Sequence, residues 1–230
     1  MKSTILITAA LFTAGFFFQS CDNSSSNSVK TDTDTTMSNM EHKDNMDMKN
    51  MNNGMMESMN GMMASMNAMK MTGDFDLDFA NMMIPHHQSA VDMAQMYLPK
   101  AKDEKIKTMA QNIIDAQKKE IEELKTLIAN HKPAGKGDDH AGAGHAGGEH
   151  NELMTAMNTM MDKMKGMKMT GDADKDFVMM MIPHHQSAVD MADNEISHGK
   201  HVEMKKFAQK VIDGQSKEIK AFEAFLTSKK

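Results

Sequence analysis

One string of residues occurs twice in this chain, Met-Met-Ile-Pro-His-His-Gln-Ser-Ala-Val-Asp-Met-Ala, at 82–94 and again at 180–192. On a helix, residues three or four apart share a face, with Cβ atoms about 5–6 Å apart. Met82 then stands over His86 and Met83 over His87, and Met180 and Met181 stand the same way over His184 and His185. Met93 and Met191 follow seven residues after His86 and His184, on a similar face. Thioether sulfur is a soft ligand and imidazole a borderline one, a donor set that selects Cu(I), and Ag(I) by the same chemistry. Adjacent residues point about 100° apart on a helix. One His of each pair is therefore expected to face an interior and the other a lateral groove. The competing account makes these imidazoles polar core groups bonded to Asp92 or Gln88. Asp92 and Asp190 fit equally well as partners orienting an imidazole or as part of a solvated face.

The rest of the chain is as rich in sulfur, with 31 Met among 230 residues, one Cys, no Trp and no Arg. Met at 55, 56, 59, 62, 63, 66 and 69 forms a stripe along one helical face. Met157, Met160, Met161, Met164 and Met167 repeat it. Flexible Met is a common core filler, so Met59, Met62, Met63, Met66, Met157, Met160, Met161 and Met164 are candidates both for packing and for binding metal. Met37, Met40, Met46, Met48 and Met51 lie among Asp, Asn, Lys, Ser and Thr. That stretch has too few apolar partners for a core, which predicts a disordered tether over 21–53 with exposed Met.

The N-terminus reads as an export signal over 1–20: Lys2, an apolar run over 5–18, then Gln19-Ser20 and Cys21. A lone Cys straight after such a run marks Cys21 as a lipidation site, hence a bacterial lipoprotein facing the periplasm or the cell surface. A lipidated Cys21 leaves no thiol for disulfides, metal or nucleophilic chemistry. Thioethers would then bind Cu(I) without forming disulfides. No later segment is apolar for long enough to span a bilayer. The net charge of −6 and the absence of Arg argue against nucleic acid as a partner and suit a collector of cations.

A shift of 98 residues aligns the two halves without a gap, with 20 of 24 positions identical between 71–94 and 169–192. The first repeat spans 54–132 and the second 151–230. Between them lies a Gly/Ala linker, 133–150, whose His140, His145 and His150 suit weak divalent-metal binding. Asp74 offers an N-cap, Pro85 a kink or a new first turn, and His131-Lys132-Pro133 a stop. Helices are expected at 55–70, 76–98, 102–131, 153–168, 174–198 and 201–228. A helix pair with one apolar face cannot bury it alone. Two such pairs closing on each other give an all-α four-helix bundle with the Met-rich helices as extra arms.

The strings HHQ-x-A-x-x-MA, followed by Ala110-Gln111 with Gln117 and Glu120, and by Ala208-Gln209 with Gln215 and Glu218, resemble the family known as domain of unknown function 305. The resemblance covers about 74–230 and implies a ferritin-like four-helix bundle. Its members are exported, and a cyanobacterial periplasmic member binds Cu(I) and Ag(I) in copper resistance. Carried over by motif, the implied ligands are Met82, Met83, His86, His87 and Met93, with Met180, Met181, His184, His185 and Met191. The expectation is a non-enzymatic copper buffer of the cell envelope, with an efflux pump or a copper enzyme as the recipient of its copper. Two alternatives compete. One is an interaction scaffold using Met-rich faces. The other is a metal oxidase, which meets the difficulty that Glu195-x-x-His198 has no counterpart in the first repeat, where Tyr97 to Lys100 stand. Ser89 and Ser187 lie on a helix with no nucleophile elbow, which makes a hydrolase improbable.

Overall fold

The computed structural model describes residues 35–132 and 149–229. They form six α-helices and no strand: α1 (Thr35–Ala68), α2 (Phe75–Tyr97), α3 (Glu104–Asn130), α4 (Glu149–Lys165), α5 (Ala173–His198) and α6 (Val202–Ser228). A 3₁₀ turn at Leu98–Lys100 holds Pro99 between α2 and α3. Helices α2 and α5, which carry the repeated string, pack against each other. Each also packs with the next helix of its own repeat, α3 on α2 and α6 on α5, to make the bundle. The arms lie outside it, α1 along α2 and α4 along α5.

Local sequence accounts for where these helices begin. Asp74 accepts from Leu77 N at 3.2 Å and Asp172 from Asp174 N at 3.0 Å, satisfying amides that no helical carbonyl can reach. Each cap is worth about 1 kcal/mol. Gly73 and Gly171, at φ 83° and 80°, take left-handed turns that a side chain would resist. In the first repeat Asp78 closes the turn by accepting from Thr72 N at 2.7 Å and Gly73 N at 3.3 Å, and Asp176 does the same for Thr170 and Gly171. Burial then holds the helices together. On α3 Ile106, Ala110, Ile113, Ile114, Ile121 and Leu124 are buried, with Met109 and Ile128 at the margin. Each fully buried Ile or Leu contributes roughly 1.5–3 kcal/mol.

Two expectations are corrected. Residues 35–53 are helical, not a disordered tether. Met48 and Met51 continue the three-and-four spacing that leads to Met55, Met59, Met62 and Met66, and one apolar residue per turn is enough to dock a helix face. Met51 is buried and Met48 packs at the core's edge, while Asn52 Nδ2 donates to Asp176 at 2.9 Å and Asp47 pairs with Lys100. Pro85 and Pro183 start no new helix, since α2 and α5 run through them. Each proline removes one intrahelical bond, and neighbours packed on both sides hold the helix across it. The signal segment, Cys21, His140, His145 and the side chains of Met37, Met40, Met46 and His150 lie outside what the structure describes.

Candidate metal centre

The two central helices bring their histidines together in the middle of the molecule. The rings of His86 and His184 lie 3.9 Å apart, centroid to centroid, and each lies 6.3 Å from the ring of its neighbour, His87 or His185. All four residues have no exposed surface, so the expectation of a His in an open lateral groove is corrected. The two members of each pair do diverge as the helical period requires. His86 and His184 meet across the α2–α5 contact. His87 and His185 turn toward Glu120 on α3 and Glu218 on α6.

Neither Asp92 nor Gln88 holds an imidazole. Gln88 donates to Asp92 and Gln186 to Asp190, both at 2.8 Å. The carboxylates that reach the rings come from the next helix: Glu218 Oε2 lies 2.8 Å from His185 Nε2, in a hydrogen bond, and Glu120 Oε2 lies 3.0 Å from His87 Nε2, in contact but not hydrogen-bonded. Burial pushes Glu120 upward, but His87 and then Lys210 outweigh it and hold the carboxyl below its usual range. Burial, reinforced by neighbouring imidazoles, lowers His86 and His184 well below the ordinary imidazole range. Both are therefore neutral at pH 7, and a neutral imidazole keeps a lone pair for a metal.

Sulfur from the arms reaches the serines of both repeated strings, and through Ser187 it adjoins one imidazole. Ser89 Oγ stands 3.4 Å from Met59 Sδ and Ser187 Oγ 3.2 Å from Met160 Sδ, while Ser187 Oγ is also 2.8 Å from His86 Nε2. Met82, Met83, Met93, Met180, Met181 and Met191 are wholly buried on α2 and α5. Met62, Met66, Met157, Met161 and Met164 belong to the same continuous core, and Met63 packs at its edge. Among these donors several ring nitrogens have no hydrogen-bond partner: His86 Nδ1, His185 Nδ1 and both nitrogens of His87 and of His184. A buried polar atom without a hydrogen bond costs about 1–3 kcal/mol, and so many in one place call for an occupant. Among the described residues no three His, Cys, Asp or Glu are placed to share a metal ion. An ion taking three or more side-chain donors here would draw on thioether sulfur as well.

Sequence reasoning missed a second set of polar residues, at the ends of the bundle. Asp174 reaches across to the first repeat and accepts from Tyr97 Oη at 2.5 Å, Lys102 N at 3.0 Å and Asp103 N at 3.0 Å. Asp76 does the converse, accepting from Lys200 N at 3.1 Å and His201 N at 2.9 Å. Each repeat thus covers the start of the other's second helix. The signal was present as Asp-x-Asp-x-Asp in both halves, at 74–78 and 172–176. Where Asp174 meets Tyr97, Asp76 meets Glu195, whose carboxyl burial and then the Asp76 bond raise to about 9. His198 turns away to Glu152 at 3.0 Å. Glu195 and His198 therefore do not act as a pair of metal ligands.

Comparison with known proteins agrees with the motif. The chain matches the family described as Domain of unknown function (DUF305) over residues 24–128 and again over 76–226. This chain belongs to that family. Similar solved structures include CopM in the apo form, 35% identical over 66% of this chain and 96% of that one, with a TM-score of 0.48. CopM in the Cu(I)-bound form is 34% identical, again over 66% and 96%, with a TM-score of 0.47. A DUF305 fragment from Deinococcus radiodurans is 19% identical, covering 67% of this chain and 96% of the fragment, with a TM-score of 0.48. A curated relative from Acanthamoeba polyphaga mimivirus, described as "Uncharacterized protein L153", is 37% identical over 57 residues. That match takes in 25% of this chain and only 38% of the relative.

Proposed function

We propose that this protein is a cell-envelope lipoprotein, anchored through Cys21, that sequesters or buffers Cu(I) and Ag(I) through Met and His donors. One observation carries the reading: buried imidazole nitrogens without hydrogen-bond partners lie in a core dense in thioether sulfur. Neutral nitrogen and sulfur favour a soft monovalent ion, whereas Zn(II) prefers thiolate, imidazole and carboxylate together. CopM, by comparison, has been solved in Cu(I)-bound and Ag-bound forms. In this chain His86 and His184 would supply nitrogen at the α2–α5 contact, with Met59, Met160 and the Met of α2 and α5 supplying sulfur. Copper is cargo here, and an efflux or delivery protein is its natural recipient. The scaffold reading is less well supported, because the arms spend their Met inward: Met71 and Val202 are the exposed large apolar residues among those described.

The test is anaerobic loading with Cu(I) followed by challenge with a Cu(I) chelator. More than one Cu(I) per chain should survive, and Zn(II) should bind far more weakly. Replacing His86, His87, His184 and His185 by Gln together should cut retained Cu(I) while helicity stays close to that of the parent. A parent chain that keeps no Cu(I), or binds Zn(II) as tightly, refutes the reading. For the anchor, Cys21→Ala should release the protein from the membrane fraction.

A further inference from the structure

The four central imidazoles differ in what holds the nitrogen farther from the backbone. His185 Nε2 faces Glu218 and His87 Nε2 faces Glu120. A carboxylate offers only lone pairs, so the hydrogen-bonded Nε2 of His185 carries the proton; at His87 the 3.0 Å approach is a contact without a hydrogen bond, and a proton on Nε2 is the state its Glu120 neighbour favours. His86 Nε2 faces Ser187 Oγ at 2.8 Å. The one hydroxyl proton of Ser187 has two takers, the His184 carbonyl at 2.7 Å and Met160 Sδ at 3.2 Å. With that proton committed to either, Ser187 accepts from His86, and Nε2 is again the protonated nitrogen. In all three rings Nδ1 is buried without a partner. A second proton there would bury an N–H with no acceptor, so Nδ1 presents a lone pair.

His184 has no such anchor. The serine matching Ser187 in the first repeat is Ser89, 98 residues earlier. Its hydroxyl is taken by the arm instead, lying 3.2 Å from Ser58 Oγ and 3.4 Å from Met59 Sδ. The position in α4 that matches Ser58 is Ala156, which has no hydroxyl to compete for Ser187. The Ser58/Ala156 difference between the arms therefore accompanies the fixing of one central imidazole and the freedom of the other.

We propose that Glu120, Glu218 and Ser187 are positioning residues that fix His87, His185 and His86 as Nε2–H tautomers, so that Nδ1 is the metal-binding atom in each, with His184 as the one ring free to turn toward the ion. The inference rests on the Cu(I)/Ag(I) reading and specifies its ligand atoms. A hydrogen bond from Nε2–H to a carboxylate makes the opposite nitrogen more basic, and losing such a partner typically weakens metal binding 10–100-fold.

The test uses the full chain with ¹⁵N-labelled histidine. Two-bond ¹H–¹⁵N correlations, assigned with single His→Gln variants, report which nitrogen is protonated. In the metal-free protein His86, His87 and His185 should show protonated Nε2 and bare Nδ1, and titration with Ag(I) should move the Nδ1 signals. Glu218→Ala should lower Ag(I) affinity by about 10–100-fold and let the His185 tautomer interconvert. Glu218→Gln keeps an acceptor oxygen and should recover part of both. A merely structural glutamate would change thermal stability and leave tautomer and affinity alone. Ag(I) acting on Nε2, an Nδ1–H tautomer in the metal-free protein, or unchanged affinity in Glu218→Ala overturns this inference while the copper reading stands. A chain that binds neither ion sinks both.

Discussion

Replacing Glu195 by Gln should make the protein more stable, and by an amount that grows with pH. Glu195 has no exposed surface and lies against Asp76, which accepts from the amides of Lys200 and His201. The surrounding charges are Asp74 at the N-cap of α2, Asp76 within it, His131 at the C-cap of α3, and Lys205 from α6. The carboxyl is raised from an ordinary 4.5 to about 9 in the folded chain. An acid raised by folding keeps its proton when folded and loses it when unfolded, so between those values rising pH favours the unfolded state. Each pH unit is worth ~1.4 kcal/mol, which puts the loss at roughly 3 kcal/mol by pH 7. Gln cannot ionise, and its amide still donates to Asp76, so the variant escapes this loss. Below about pH 4.5 the two proteins should have nearly equal stability. Above it their urea midpoints should separate steadily, with Glu195→Gln the more stable. Asp76, held low, and the neutral His86 and His184 have the opposite dependence, losing stability in acid, but both proteins share those groups. Taking the difference between the two pH series therefore isolates Glu195. Parallel stability curves from pH 4.5 to 8 would refute a neutral, buried Glu195.

Asp174→Ala strips acceptors from Tyr97, Lys102 and Asp103 at once, and should cost about 3 kcal/mol in urea melts, given 1–3 kcal/mol for each buried donor left unpaired. Tyr97→Phe in the same background should recover part of that loss, so strictly additive effects would show that the two side chains are not coupled. Changing Met59, Met62, Met63 and Met66 to Leu keeps volume and apolarity, and should cost under about 1.5 kcal/mol per site. Anaerobic copper capacity and the sulfur signal at the copper X-ray absorption edge should both fall; a full copper load with unchanged sulfur would make α1 a packing element alone.

Whatever depends on neighbours along the chain can be read from residue order alone. Most helix positions, the Asp74 cap and the duplication follow from periodicities and breaker residues, because the backbone bonds and side-chain contacts that specify them lie within about four residues. The donor chemistry of the repeated string follows from residue type. Tertiary structure decided everything that needed a partner across the 98-residue offset. Periodicity showed that adjacent histidines diverge, but only the packing of α3, α6 and the arms buried all four. Asp92 and Glu120 are equally plausible partners for His87 as letters, yet the next helix puts Glu120 at the ring while Gln88 occupies Asp92. The polar composition of 35–53 concealed a docked helix, since a stripe of Met48, Met51 and Met55 is a small fraction of a window but a whole helical face. The exchange of Asp76 and Asp174 between repeats was invisible for the same reason. A buried carboxylate can be told from a solvated one only by the amides that surround it, and those amides come from the other half of the molecule.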